Sequence, residues 1–356
     1  MSKINSISLY QFKNYENNRF EFISNKVCLV GKNGTGKTNL LDAIYYLCFT
    51  KSYFQYNDQL VIQQNKNGLR LTAEIDEDEI TAVIREDGRK EILFNSLVYT
   101  KKSNHVGKYC AVMISPDDIS LINGSGEERR KFIDRTICQL NNEYLQKLVQ
   151  YNKYLKMRNA YLKNLNSNDE LNQDLLSIYD EKICAFGAYI FQERKNYLIP
   201  FIEKVTELYV YFADKNEQIE IEYVSKLLQQ SLEKLLKENL YKDLLSKRSN
   251  YGIHKDDLGF YFNKLPFKSV ASQGQKKSFL FALKLAEFEM LQSKTNQHTI
   301  LLLDDIFEKL DRFRSQKLIS YLLKQQQQIF ITDTHKSRVE EAFESNLDQI
   351  QIIELD

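Results

Sequence analysis

Gly31-Lys32-Asn33-Gly34-Thr35-Gly36-Lys37-Thr38 follows the apolar run Val27-Cys28-Leu29-Val30 and precedes Asn39-Leu40-Leu41-Asp42-Ala43-Ile44-Tyr45-Tyr46-Leu47. The first run reads as a buried strand and the last as an amphipathic helix, so a glycine-rich loop joins strand to helix. That context turns G-x-x-x-x-G-K-[ST] into a phosphate-binding P-loop rather than a chance turn. The glycines let successive backbone N–H groups of Gly31, Lys32, Asn33, Gly34, Thr35 and Gly36 converge on phosphate oxygens, and the helix N-terminus adds its positive end. Lys37 is expected to reach the β- and γ-phosphates of ATP, and Thr38 to ligate Mg²⁺.

The totals set the frame for this loop. A chain of 356 residues can bury a large core, and its length suggests about two domains. A net charge of +1 is silent about partners. No run approaches the ~18 apolar residues of a membrane span. The start, Met1-Ser2-Lys3-Ile4-Asn5, has no signal-peptide core. Cys28, Cys48, Cys110, Cys138 and Cys184 are scattered and mostly in apolar runs, so they read as reduced core residues of a cytoplasmic protein.

Along the chain, Ile4–Tyr10 and Phe20–Ile23 read as early strands leading to the P-loop strand. Lys13 and Asn14, in the Phe12-Lys13-Asn14-Tyr15 loop between them, could reach the nucleotide or simply form a polar turn. Residues 69–75, 80–85 and 91–94 read as an antiparallel patch, and Tyr109–Ile114 as a buried strand stopped by Ser115-Pro116-Asp117-Asp118. From 127 to about 246 the periodicity is helical, with breaks near 164–169 and 214–216. Tyr144, Leu148, Tyr151, Leu155 and Leu162 form one seam, which reads as helix packing rather than a base-stacking platform.

The second half of the site lies far downstream. Ile300-Leu301-Leu302-Leu303 runs into Asp304-Asp305, a Walker B pattern at the end of a strand, where parallel sheets bind ligands. Asp304 is expected to hold Mg²⁺ and Asp305 to polarise the attacking water. Lys37 and Asp304 stand 304 − 37 = 267 residues apart, so a large insertion separates two halves of one ATPase head. Ser272-Gln273-Gly274-Gln275, at a helix start, resembles the signature motif of ABC-type ATPases; its bland alternative is an ordinary helix capped by Ser272. Asp311 matches the D-loop position of those proteins and His335 their switch histidine.

Over essentially its whole length the chain resembles the RecF family of SMC-like ATPases of bacterial recombinational repair. The resemblance rests on Phe12-Lys13-Asn14-Tyr15, on Gly31–Thr38 with its helix, and on Lys51-Ser52-Tyr53. It continues through Ser115–Ile119, Arg129–Asp134, Ser272–Gln275 and Leu302–Asp305, and is most specific in Gly252-Ile253-His254-Lys255-Asp256-Asp257-Leu258. Ile253, Lys255 and Gln273 depart from the family's usual residues, as does Glu308-Lys309-Leu310-Asp311 from its D-loop, and no glutamine stands at a Q-loop position near 115.

The resemblance implies an α/β fold: an ABC-type ATPase head, with a P-loop parallel sheet plus an antiparallel β patch, and a helical insertion domain. The segments are 1–126, 127–246 and 247–356. It implies an ATP-dependent homodimer in which each Ser272–Gln275 completes the other copy's site. It also implies binding to duplex DNA at single-strand gaps, partnership with RecR and RecO in loading RecA, and weak ATP turnover. Residues 124–163 hold nine basic residues against four acidic, and 242–277 eight against three, local fields that suit a phosphate backbone or are solvated helix faces. Two other functions fit the motifs: the ATPase subunit of an ABC transporter, and an SMC-like ATPase coupled to a nuclease partner.

Overall fold

Lys26-Val27-Cys28-Leu29-Val30 is buried along its whole length, as a central parallel strand covered on both faces must be. In the computed structural model, which describes residues 3–165, 171–213, 217–294, 299–307 and 311–356, it is the second strand of a five-stranded parallel sheet. The sheet order is Ile350–Glu354, Lys26–Val30, Ile329–Asp333, Ile300–Leu303 and Ala111–Ile114. Every neighbouring pair is parallel, so all the strands end at one edge, with the P-loop, Asp304 and Asp333 along it.

A six-stranded antiparallel sheet stands against the same core. Its order is Tyr15–Glu21, Ile4–Phe12, Leu69–Ile75, Asp78–Ile84, Lys90–Phe94 and Leu97–Val98. Asp76 and the pair Asn95-Ser96 turn its hairpins with positive φ, the geometry such tight turns demand. The helix after the P-loop, Lys37–Phe49, is buried on nearly every side. It is therefore more fully buried than the amphipathic helix its sequence suggests: residues of both sheets share one hydrophobic cluster with Leu40, Leu41, Ile44, Tyr45 and Tyr46.

The chain divides into two units. The first comprises Met1–Ile119, Glu207–Asn216 and Ser272–Asp356; the second comprises Ser120–Thr206 and Glu217–Ala271. Against the expected segments 1–126, 127–246 and 247–356, the second unit begins earlier, cedes 207–216 to the first, and runs on to 271. The long helices of this region are Gly126–Leu140, Asn142–Asn164 and the forty-residue Gln173–Phe212. Ser125 and Glu128 form a capping box on the first of them. Tyr144, Tyr151 and Leu162 of the expected seam are buried, which is the packing role.

The helical reading of 127–246 needs one correction. Ile219-Glu220-Ile221-Glu222-Tyr223-Val224 is a strand, paired antiparallel with Asp257–Phe262, which in turn pairs with Leu265–Pro266. Its alternation of apolar and acidic residues has the two-residue period of a strand, and that period overrides the helical texture around it. Short helices follow at Leu232–Glu238 and Leu240–Ser246. The breaks expected at 166–169 and 214–216 lie outside the described residues, as do Glu308, Lys309 and Leu310 of the D-loop string.

Candidate nucleotide site

The P-loop occupies one edge of the parallel sheet in the first unit. Gly34 and Gly36 have φ of 91° and 107°, values that side chains rarely adopt. At Gly36 space is also denied: a Cβ there would lie 2.7 Å from both the Asn14 amide nitrogen and the Tyr15 hydroxyl. Those two residues brace the loop from the first hairpin. Tyr15 donates from its hydroxyl to the Gly36 carbonyl at 3.1 Å. Asn14 donates to the Thr35 carbonyl at 3.3 Å and accepts from Asn39 Nδ2 at 2.7 Å. Gly31 packs against the Leu355 carbonyl, while Lys32, Asn33 and Gly34 are exposed.

Lys37 Nζ donates to the carbonyls of Gly31 and Lys32 at 2.6 and 2.9 Å. The ammonium thus lies curled inside the loop whose N–H groups would surround a phosphate. Thr38 Oγ1 donates to Asp304 at 2.8 Å, joining two residues that are 266 positions apart. Asp304 is buried, and burial, opposed by the hydroxyls of Thr38 and Thr332, pushes its carboxyl above the usual range. Its direct partners are hydroxyls, Thr38 and Thr332, the latter donating at 2.8 Å. A hydroxyl and a carboxylate are hard oxygen donors, and a buried carboxylate beside Asp305 calls for positive charge. The donor set therefore fits Mg²⁺.

Asp305 follows in the left-handed region, φ 46°, with its backbone N–H donated to Thr332 Oγ1 at 2.8 Å. Aspartate tolerates that conformation better than most residues. A cavity of about 200 Å³ opens beside Asp304 and Asp305, walled by Ser115, Pro116, Gln273, Lys277 and Phe281. A second, of about 330 Å³, flanks Gly31, Lys32, Thr35 and Thr334.

The remaining expected residues are placed as follows. Ser272 caps the helix Gln273–Lys294: its Oγ accepts from Gln275 N at 3.2 Å, and Gln275 Oε1 accepts from Ser272 N at 2.7 Å. Ser272 and Gln273 are exposed at the end of that helix, and Gly274 is covered by Arg314. Asp311 caps the helix Arg312–Lys324. His335 is exposed, and its N–H donates to Asp333 Oδ1 at 2.8 Å. The Lys13 ammonium pairs with Asp42 of the P-loop helix at 2.6 Å, a fully buried carboxylate that needs a cation.

Sequence reasoning missed Tyr15, which holds the Gly36 carbonyl, and Thr332, which touches both Walker B residues. The available signal was a lone hydroxyl at the end of the buried run Ile329–Thr332, where only a functional partner would justify it.

The Gly252–Leu258 string does different work, within the second unit. His254 meets the Tyr151 hydroxyl at 2.8 Å and the Ser249 carbonyl at 3.1 Å, and burial lowers its pKa to about 4. Asp256 accepts from Arg194 Nη1 at 3.0 Å and from the Tyr223 hydroxyl at 2.6 Å. Arg194 also holds Asp134 through two nitrogens, and Arg129 holds Asp257 at 2.7 and 3.0 Å. Arg158 is buried between Asp180 and Asp243. Arg129 and Arg158, counted in the basic stretch 124–163, are thus committed to internal carboxylates.

A family model described as the RecF/RecN/SMC N terminal domain matches residues 3–353. The DNA replication and repair protein RecF of Flavobacterium johnsoniae is 41% identical over 99% of this chain and 99% of its own. That of Cytophaga hutchinsonii is 37% identical over 99% and 95%. A solved structure of the recombination mediator protein RecF with ATP, from the RecFOR pathway, is similar with a TM-score of 0.87 and 29% identity, covering 94% of this chain and 93% of that one. An Smc head domain from Pyrococcus furiosus, at 15% identity and a TM-score of 0.55 over 100% and 94% of the two chains, shares the fold alone. No described helix is long and apolar enough to cross a membrane.

Proposed function

The chain belongs to the RecF family of ATPases, and from that premise we propose that it is an ATP-gated DNA clamp of replication and recombinational repair. The observation that carries this reading is the Thr38–Asp304 contact, which assembles the two halves of a P-loop ATPase site from opposite ends of the chain. ATP binds with its phosphates on the Gly31–Thr38 backbone. Lys37 leaves the Gly31 and Lys32 carbonyls for phosphate oxygens, an exchange of one set of acceptors for stronger, charged ones. Thr38 and Asp304 would hold Mg²⁺, which would supply positive charge beside the phosphates. Asp305 orients water on the γ-phosphate side, with Thr332 fixing its backbone. His335 lies beyond the neighbouring strand end as a further polar group for that phosphate.

One protomer supplies no signature motif to its own P-loop in this scheme. Ser272, Gln273, Gly274 and Gln275, with Asp311, complete the site of a second copy, so ATP drives a homodimer. The dimer closes on duplex DNA at gaps through backbone contacts and works with RecR and RecO in loading RecA; slow, DNA-stimulated hydrolysis releases it. Kinship with proteins named for DNA replication and repair favours this scheme over a transporter subunit or a nuclease-coupled ATPase.

Lys37→Ala tests it. Analytical ultracentrifugation with ATP and gapped duplex is expected to show dimers for the natural protein and monomers for the variant, with salt-sensitive DNA binding. A Lys37→Ala protein that still dimerises on ATP would sink the proposal.

A further inference from the structure

Arg314 stands one turn into the helix that Asp311 caps, and it reaches across to the helix that begins with the signature motif. Asp311 Oδ1 accepts from the Arg314 backbone N–H at 2.9 Å, and its second oxygen receives Arg314 Nη1. From the other edge of the guanidinium, Nε donates at 2.8 Å to Ser278 Oγ, a buried hydroxyl on the signature helix. Between these contacts the guanidinium lies on Gly274: a Cβ there would sit 3.1 Å from Arg314 Cζ and Nη1 and 3.2 Å from Nη2. The Arg314 side chain is 11% exposed, while that of Asp311 is 49% exposed. The carboxylate thus stands at the surface and the cation behind it.

We infer that Arg314 is a positioning residue that locks Asp311 and the start of the signature helix into one body, so that both meet a second copy's nucleotide together. The inference rests on the composite-site reading above. Gly274 then has a task beyond admitting phosphate: it leaves room for the guanidinium that ties the two elements. A planar fork is needed, because its separated N–H groups serve Asp311 and Ser278 at once, which a lysine's compact ammonium cannot do. The cation also offsets the Asp311 charge, which would otherwise repel an approaching phosphate.

The test uses the full chain with Arg314→Ala, Arg314→Lys, Asp311→Ala and the double variant Asp311→Ala/Arg314→Ala. A fluorescent ATP analogue reads protomer affinity under dilute conditions, and ultracentrifugation reads ATP-driven self-association. The expected result is protomer affinity within about twofold of the natural protein for Arg314→Ala and Arg314→Lys, with self-association weakened by about tenfold or more in both. The double variant should be no worse than Arg314→Ala, the mark of residues acting as one unit. Self-association of Arg314→Ala at the natural strength, or losses that multiply in the double variant, would overturn the inference. Should Arg314→Ala fold poorly, Arg314→Lys keeps the charge and decides the matter alone. A natural protein that does not self-associate on ATP would instead refute the composite site, and this inference with it.

Discussion

Asp304 in the first unit and Asp256 in the second are both almost completely buried carboxylates, and burial raises the pKa of each. Their surroundings differ in one respect. Asp256 has the Arg194 guanidinium at 3.0 Å, so its charge is answered from within the chain. Asp304 is hydrogen-bonded by two threonine hydroxyls and, among the described residues, has only the field of the Lys37 ammonium, not a cation in direct contact. A family motif can therefore mark either a fastening or a site. What tells them apart is whether the protein supplies the countercharge or leaves it to come from outside.

The strongest way to break that contrast is Arg194→Met. It would leave the buried Asp256 and the half-buried Asp134 without their cation, and should lower unfolding free energy by about 3–5 kcal/mol in urea titrations. A neutral result would mean these carboxylates do not depend on Arg194. Next comes a matched pair. Asp304→Asn should cut ATP turnover by about a hundredfold or more while leaving stability unchanged or higher, since it removes a buried charge with no directly paired cation. Asp256→Asn should instead cost about 1–3 kcal/mol of stability and spare nucleotide affinity. If both variants behaved alike, the two aspartates would not be different kinds of group.

The smallest effect is a matter of pH. Native His254 takes a proton only near pH 4, whereas an unperturbed histidine does so near 6.5. Between those values the unfolded chain binds the extra proton, so the stability held above pH 6.5 drains away as pH falls. Asp256 and Asp180, raised by burial, work in the opposite sense nearer their own range. The difference between the natural protein and His254→Asn isolates the histidine, and it should shrink by on the order of 1–2 kcal/mol from pH 7 to pH 5. A difference independent of pH would show that His254 is not held neutral.

The P-loop and Walker B strand were legible because their chemistry is local: glycines, a lysine and a threonine within eight residues, and two acids at the end of an apolar run. Lys26–Val30, Ala111–Ile114, Ile300–Leu303 and Ile329–Asp333 were legible for the same reason, each being a continuous buried run, whereas the half-buried edge strand Ile350–Glu354 was not read. Pairings between distant residues were not. Lys13 reads as either a nucleotide contact or part of a polar turn, and its pairing with the buried Asp42, 29 residues on, was not visible in the sequence. Gly274 reads only as a phosphate glycine until Arg314 is seen to lie on it. The strand Ile219–Val224 was legible in its alternation, but helical neighbours on both sides masked it.

Both neighbours of the P-loop strand, Ile329–Asp333 and Ile350–Glu354, come from the far end of the sequence. A ribosome therefore releases the P-loop strand long before either partner exists. Parallel pairing at such separation is slow, and an unpaired apolar strand is prone to aggregate. The antiparallel sheet, built wholly from residues 4–98, can form meanwhile and cover one face of the P-loop helix. The nucleotide site would then be the last part of the molecule to be completed during synthesis, so a nascent chain could not hold ATP in it until almost all of it had been made.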